Sequence, residues 1–180
     1  MASMVTTGGI LADIGTDHAY VPIALVQRQK IKGAIAMDIN EGPLARAQEH
    51  IRAARLEKYI QTRLSDGAEA LLPNEADSIL IAGMGGELIL HILTEGELVC
   101  STAKELILQP QSESISDIMV FKAIFLSAVS INIIFPYKRD FNFVSYCMVA
   151  LISLYEVNGS LLGEDTKTIS FISMKISGID

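Results

Sequence analysis

The strongest constraint on the fold is the alternation, from residue 8 to residue 110, of short apolar runs with longer helical patterns. The runs are "GGILADI" (8–14), "KGAIAMDI" (32–39), "YIQTRL" (59–64), "DSILIAG" (77–83) and "KELILQP" (104–110). Each is nearly continuous in apolar residues rather than alternating, as expected of strands buried on both faces. Strands of this kind, separated by helices, predict an α/β fold: a mostly parallel sheet with helices on both faces. Between the second and third runs, "GPLARAQEHIRAARLEKY" places Leu44, Ala47, Ile51, Ala54 and Lys58 at helical spacing, with Pro43 suited to a first turn. Arg46, Glu49, Arg52 and Glu57 form its opposite face, which reads as solvated.

After Gln111 the rhythm is lost. A helix is expected over 116–126, a strand over 129–135, a turn at "PYKRD" and a return strand over 141–152, closing the sheet with an antiparallel hairpin. The apolar stretch 118–135 invites a membrane reading, but Lys122, Ser127, Ser130 and Asn132 interrupt it, and the next run, 143–154, is short for a span. No membrane association is expected. The domain is expected to occupy residues 1–153, leaving 154–180 as a tail.

Charge narrows the partners. With 21 Asp and Glu against 14 Lys and Arg, the net charge of -7 gives no global attraction to a polyanion. Any such partner needs a local patch, and the densest basic run is Arg46, Arg52, Arg55, Lys58 and Arg63. Cys100 and Cys147 are widely spaced, fit no metal motif and read as small buried hydrophobes; without a signal-like N-terminus, a reducing cytoplasmic setting is expected.

In an open α/β sheet, ligands bind beyond the carboxyl ends of the strands, near the point where strand order reverses. Four runs end in unusual loops there: "DIGTDH", "DINEGP", "SDGAEA" and "AGMGGE". Gly15 permits close approach of a ligand, yet the GxGxxG fingerprint is absent, because Asp17 and Tyr20 stand where its later glycines belong. A pyrophosphate would meet the Asp17 carboxylate, whereas a ligand bearing an ammonium or sulfonium group would be drawn to Asp13 and Asp17. Asp38 lies 23 residues beyond Gly15, where an acid can accept from ribose hydroxyls or simply cap a helix. Asp66 and Gly67 can accept from an adenine amino group or form an ordinary turn. Together these loops favour S-adenosyl-L-methionine over a dinucleotide.

The strings "ADIGTDHAYVP", "GAIAMDINEGPLARAQ", "LSDGAEAL", "ADSILIAGMGGELILHIL" and "ELILQPQ" resemble the bacterial tRNA (adenine-22-N1)-methyltransferases, class I S-adenosylmethionine-dependent enzymes, over residues 2–111. The resemblance implies a Rossmann-like, seven-stranded fold. It implies that Asp13, Gly15 and His18 surround the methionine part of the cofactor, that Asp38, with Ile39 beside it, holds the ribose, that Asp66 and Gly67 flank the adenine, and that Gly83 lies in the loop opening to the target base. It implies methyl transfer to adenine N1 in tRNA, with Tyr20 stacking on or hydrogen-bonding the base and Asp17 accepting from N6 or easing its deprotonation. No metal is expected. "IAGMGG" replaces the Asn/Asp-Pro-Pro-aromatic motif of amino-methyltransferases, which fits a target other than an amino nitrogen. The family's C-terminal coiled coil, expected to help grip tRNA, finds no match after residue 111, so cofactor binding is better supported than RNA binding. The competing readings are a cofactor-binding or partner-binding remnant and a small-molecule methyltransferase.

Overall fold

The computed structural model describes residues 2–111, 129–134 and 175–177. In chain order the elements are β1 (Ile10–Ile14), α1 (Tyr20–Gln27), β2 (Gly33–Asp38), α2 (Glu41–Ala53), β3 (Ile60–Leu64), β4 (Ser78–Met84), α3 (Gly86–Glu95), α4 (Glu97–Cys100), β5 (Glu105–Pro110), β6 (Ser130–Ile134) and β7 (Lys175–Ser177). The strands form one seven-stranded sheet in the order β3-β2-β1-β4-β5-β6-β7. Every neighbouring pair runs parallel.

The continuous apolar runs hide a period of two that the packing reveals. Leu11, Ala34, Ala36, Leu80 and Ile107 face one way, against Leu25 and Val26 of α1 and Ala47 and Ile51 of α2. Ala12, Ile14, Ile35, Met37, Ile79, Ile81, Leu106 and Leu108 face the other way, against Ile89, Ile92 and Leu93 of α3. Both faces being covered, both sets of side chains are mostly apolar and the run reads as nearly unbroken.

From β1 the chain steps outward through β2 to β3, then crosses back to lay β4 on the other flank of β1. The carboxyl ends of β1 and β4 therefore diverge into connections leaving in opposite directions, which opens a crevice between them.

One expectation needs correction. The helix after β2 stops at Ala53 instead of running to Tyr59. Arg55 takes a left-handed φ of 57°, the Leu56 N–H donates to the Ile51 carbonyl at 3.0 Å and the Arg55 N–H to that of Arg52 at 3.0 Å. This is a Schellman cap formed without glycine, and it leaves Lys58 exposed outside the helix. Beside β6 the structure sets residues 175–177 as a parallel strand, so the described sheet has no antiparallel partner at this position. The expected helix 116–126, the "PYKRD" turn and the return strand 141–152 lie outside the described residues. Among the described residues, no helix is long and apolar enough to cross a membrane.

The edge opposite the crevice is fastened by acids. Glu105, only 5% exposed, accepts from the Thr6 N–H at 2.6 Å, the Thr6 hydroxyl at 2.9 Å and the Ser78 hydroxyl at 2.7 Å. Asp77 accepts from the Ile10 N–H at 2.8 Å and pairs with Lys104 at 2.6 Å. Replacing Glu105 with Ala strands the buried Ser78 hydroxyl and frees Thr6, and a loss of about 1–3 kcal/mol in urea-induced unfolding is expected, with Glu105→Gln retaining part of the stability. Equal stability of wild type and Glu105→Ala would refute this assignment.

Candidate active site

The site begins where β1 ends. The Gly15 and Thr16 N–H groups both donate to the Met37 carbonyl, at 2.8 and 2.9 Å, so the chain leaving β1 stays tethered to the end of β2. Gly15 sits at φ 75°, and a Cβ there would collide with the Met84 methyl group. The left-handed φ is what favours glycine here, since the Met84 side chain is flexible enough to move aside.

An open cavity of about 270 Å³ lies over this turn, lined by Asp13, Gly15, Thr16, Asp17, His18, Tyr20, Val21, Leu80 and Ala82. Asp13 is its buried acid, 6% exposed, accepting from the Thr16 hydroxyl at 2.7 Å. Burial pushes its carboxyl up from 3.8 to about 6; the Thr16 bond opposes that shift and the nearby Asp38 adds to it. Val21, Leu80 and Ala82 supply an apolar wall beside it.

Asp17 and Ala19 both take left-handed backbone angles, φ 48° and 57°, conformations that side-chain-bearing residues adopt at a cost of about 1–2 kcal/mol each. They reverse the chain tightly enough for α1 to start at Tyr20. Asp17 is exposed and pairs with Arg46 of α2 at 2.8 Å, while its other oxygen lies 3.4 Å from His18 Nε2. The hydrogen bond from Arg46 is the main reason the Asp17 carboxyl titrates below its ordinary value, with His18 also lowering it. An acid held this way is a good hydrogen-bond acceptor and a weak base.

His18, Tyr20 and His50 form a cluster of near-parallel rings at the cavity mouth, with centroids 5.1–5.2 Å apart. Tyr20 is 63% exposed, so its ring presents a face to solvent and is not part of the core.

The remaining expected residues occupy the same sheet edge but do not line this cavity. Asp38 closes β2, buried, with Oδ1 accepting from the Asn40 N–H at 3.0 Å; Ile39 beside it is 56% exposed. Asp66 is exposed on the turn after β3, where the Ser65 hydroxyl donates to the Gly67 carbonyl at 2.9 Å. Gly83, at φ 75°, lies at a register shift between Ala82 and Met84, and its N–H donates to Gln109 Oε1 at 2.9 Å.

Sequence reasoning missed Thr16, Val21, Leu80, Ala82, Arg46 and His50. Thr16 was open to view as the hydroxyl three residues after Asp13. Arg46 and His50 are four residues apart, hence on one side of α2, but nothing local says that this side faces the turn after β1. Of the basic run, Arg46 is engaged by Asp17 and Arg63 by Glu75 at 2.7 Å, leaving Arg52, Arg55 and Lys58 exposed.

A doubly wound sheet with an acidic, glycine-bounded cavity at its strand-order reversal fits a methyltransferase, and the chain belongs to the family described as Methyltransferase domain, which it matches over residues 1–119. Among individual proteins, it is 42% identical over 115 residues to the tRNA (adenine(22)-N(1))-methyltransferase of Bacillus subtilis (strain 168), covering 64% of this chain and 48% of that one. It is similar to the crystal structure of the B. subtilis m1A22 tRNA methyltransferase TrmK, with a TM-score of 0.63 and 40% identity over 67% of this chain and 51% of that one. A Streptococcus pneumoniae protein assigned as a tRNA (m1A22) methyltransferase, solved in complex with S-adenosyl-L-methionine, gives a TM-score of 0.63 and 43% identity over 67% and 56% of the two chains. The chain spans about half the length of these relatives.

The Asp17–Arg46 pair can be tested directly. Arg46→Ala should raise the Asp17 titration midpoint toward that of an ordinary aspartate in a carboxyl-detected NMR titration. An unmoved midpoint would mean that the contact does not persist in solution.

Proposed function

We propose that this chain transfers a methyl group from S-adenosyl-L-methionine to N1 of an adenine in tRNA. The observation that carries the reading is the identity to the B. subtilis enzyme across 115 residues, a stretch long enough to include the cavity. The site's own chemistry supports it. Asp13 is a buried carboxylate whose charged form is destabilised by burial, and a cationic ligand group would relieve that cost.

The cofactor supplies an electrophilic methyl group on a sulfonium. Asp13, oriented by the Thr16 hydroxyl, meets the cationic methionine end, with Gly15 and His18 beside it. Asp38 accepts from the ribose hydroxyls through the oxygen not engaged by Asn40, and Ile39 offers an exposed apolar surface to the adenine ring. Asp66 and Gly67 accept from the adenine amino group, and Gly83 keeps the opening to the target base free of a side chain. The target adenine must leave its stack or be unpaired already. Tyr20 stacks on it at the mouth, and Asp17, held by Arg46, accepts from N6. Adenine N1 carries its own lone pair, so it can attack the methyl group of a bound cofactor without a strong base, and the residues named above would act chiefly by positioning the adenine. The same reading takes residues 1–153 as the cofactor-binding domain, with 175–177 returning from 154–180 to pair beside β6. A tRNA substrate places the reaction in the cytoplasm.

Incubation of unmodified tRNA with the protein and the labelled cofactor, followed by nucleoside analysis, should yield N1-methyladenosine. No incorporation at saturating cofactor and low salt would overturn the proposed activity.

Cofactor affinity should also depend on pH through Asp13. Its folded value of about 6 lies above the ordinary 3.8, so its contribution to folding stability is fully present below about pH 4 and is lost as pH rises through about 6. The cationic ligand selects the ionised form. Binding of S-adenosylhomocysteine, which lacks the sulfonium but keeps the α-ammonium that would meet Asp13, should therefore be constant between about pH 7 and 8 and weaken by up to about tenfold per unit below about pH 6, as measured by calorimetry. Asp13→Asn should abolish that dependence, and a flat profile in the wild type would remove Asp13 from the site.

A further inference from the structure

We propose that His50 is a positioning residue that holds the turn from Thr16 to Ala19, and with it the His18 and Tyr20 rings, in the shape that receives the target base. The inference rests on the methyl-transfer reading above. His50 lies on α2, outside the turn, with its Nδ1 3.1 Å from the His18 carbonyl oxygen. A carbonyl can only accept, so Nδ1 carries the proton and donates. The imidazole also stacks on both His18 and Tyr20, at 5.2 Å in each case.

The turn needs outside support. Two of its residues, Asp17 and Ala19, take left-handed angles without being glycine, and such conformations persist only where the surroundings enforce them. Within the turn, the Ala19 N–H donates to the Thr16 carbonyl at 3.0 Å. His18 cannot anchor its own ring: Nδ1 is buried with no hydrogen-bond partner among the described residues, and Nε2 stands 3.4 Å from Asp17. The fixed points come from α2, one turn of helix apart: Arg46 on the Asp17 carboxylate and His50 on the His18 carbonyl. The His50 hydrogen bond acts on the backbone between the two left-handed residues, where a rotation would swing both rings away from the mouth.

Two substitutions separate the donor from the ring. His50→Asn keeps an N–H donor near the place of Nδ1 but removes the imidazole; His50→Phe keeps a flat ring and removes the donor. Single-turnover and steady-state methylation of tRNA should show kcat roughly tenfold or more lower in His50→Phe, the scale of a misplaced reacting group, and largely restored in His50→Asn. KM for S-adenosyl-L-methionine should change much less than kcat in both, because Asp13 and Gly15 lie outside the turn that His50 holds and His50 does not itself line the cavity. Wild-type kcat in His50→Phe would overturn the proposal, and so would a parallel loss of kcat and cofactor binding in both variants, which would mark His50 as general support of the cavity. A second readout needs no activity. Nitrogen-15 NMR of the wild type should find His50 protonated at Nδ1, with the Tyr20 ring signals shifted more by His50→Phe than by His50→Asn; an unprotonated Nδ1 overturns the proposal. Failure of the wild type to methylate any tRNA would sink the proposed function, and the NMR result would still decide the role of His50.

Discussion

The arrangement depends on one carboxylate placed where water cannot solvate it. Asp13 shares a strand face with Leu11, which is fully buried, and its register neighbours are Ala36 on β2 and Leu80 on β4. A parallel sheet covered on both faces has no polar surface to offer, so an acid in its centre is tolerable only at the last turn of a strand. There a hydroxyl such as Thr16 can reach back to it and a cavity can open above it. Everything that forms the crevice contributes to that exception: the reversal of strand order, the glycine that lets the chain leave β1 sharply, and the small side chains at Ala36 and Ala82. Burial raises the proton affinity of Asp13, so the ligand-free fold carries a local cost that a cation can remove. Acids that keep a cationic partner behave oppositely. Lys104 and the Ile10 N–H hold the Asp77 carboxyl below its ordinary range, and Arg63 does the same for Glu75, so these groups stabilise the fold above ordinary aspartate and glutamate values and cease to as pH falls.

The crevice also depends on α2 in a way that the layer description hides. Leu44, Ala47 and Ile51 bury one side of this helix, while Arg46 and His50 reach the turn after β1 across 29 and 32 residues of sequence. The helix therefore packs the sheet and shapes the rim with different sides, and its early stop at Ala53 lets the chain turn back into β3 without burying Lys58.

Much of the fold was legible because parallel strands buried on both faces leave a local signature. All five apolar runs of the first 110 residues became strands, trimmed by one or two residues at most ends. The end of α2 was not legible, because the residue that stops it is an arginine in a left-handed conformation, where glycine is the usual marker. Beside β6 nothing in the sequence marks the parallel pairing with residues 175–177, because strand direction is decided by the route of the connection and not by the apolar run itself. In the cavity, Asp13, Gly15, Asp17, His18 and Tyr20 were readable together because one tight turn gathers them from eight consecutive positions. Arg46 had the same charge as its solvated neighbours Arg52 and Arg55, and only the packing of α2 distinguishes them.

The backbone of that turn accounts for the kind of ligand the fold can accept. Doubly wound sheets that bind pyrophosphate leave N–H groups after the first strand pointing at the ligand. Here the Gly15 and Thr16 N–H groups converge on the Met37 carbonyl, and Asp17 places a carboxylate where a second glycine would admit a phosphate. Donors turned inward and acids turned toward the opening invert the electrostatic character of the crevice without changing the topology. A phosphate entering it would lose water and find these backbone donors already engaged and the Asp13 carboxylate before it, whereas an ammonium or sulfonium group would find Asp13 as a partner. In this architecture the two hydrogen bonds to Met37 and the carboxylates of Asp13 and Asp17 together disfavour a pyrophosphate at the turn after β1.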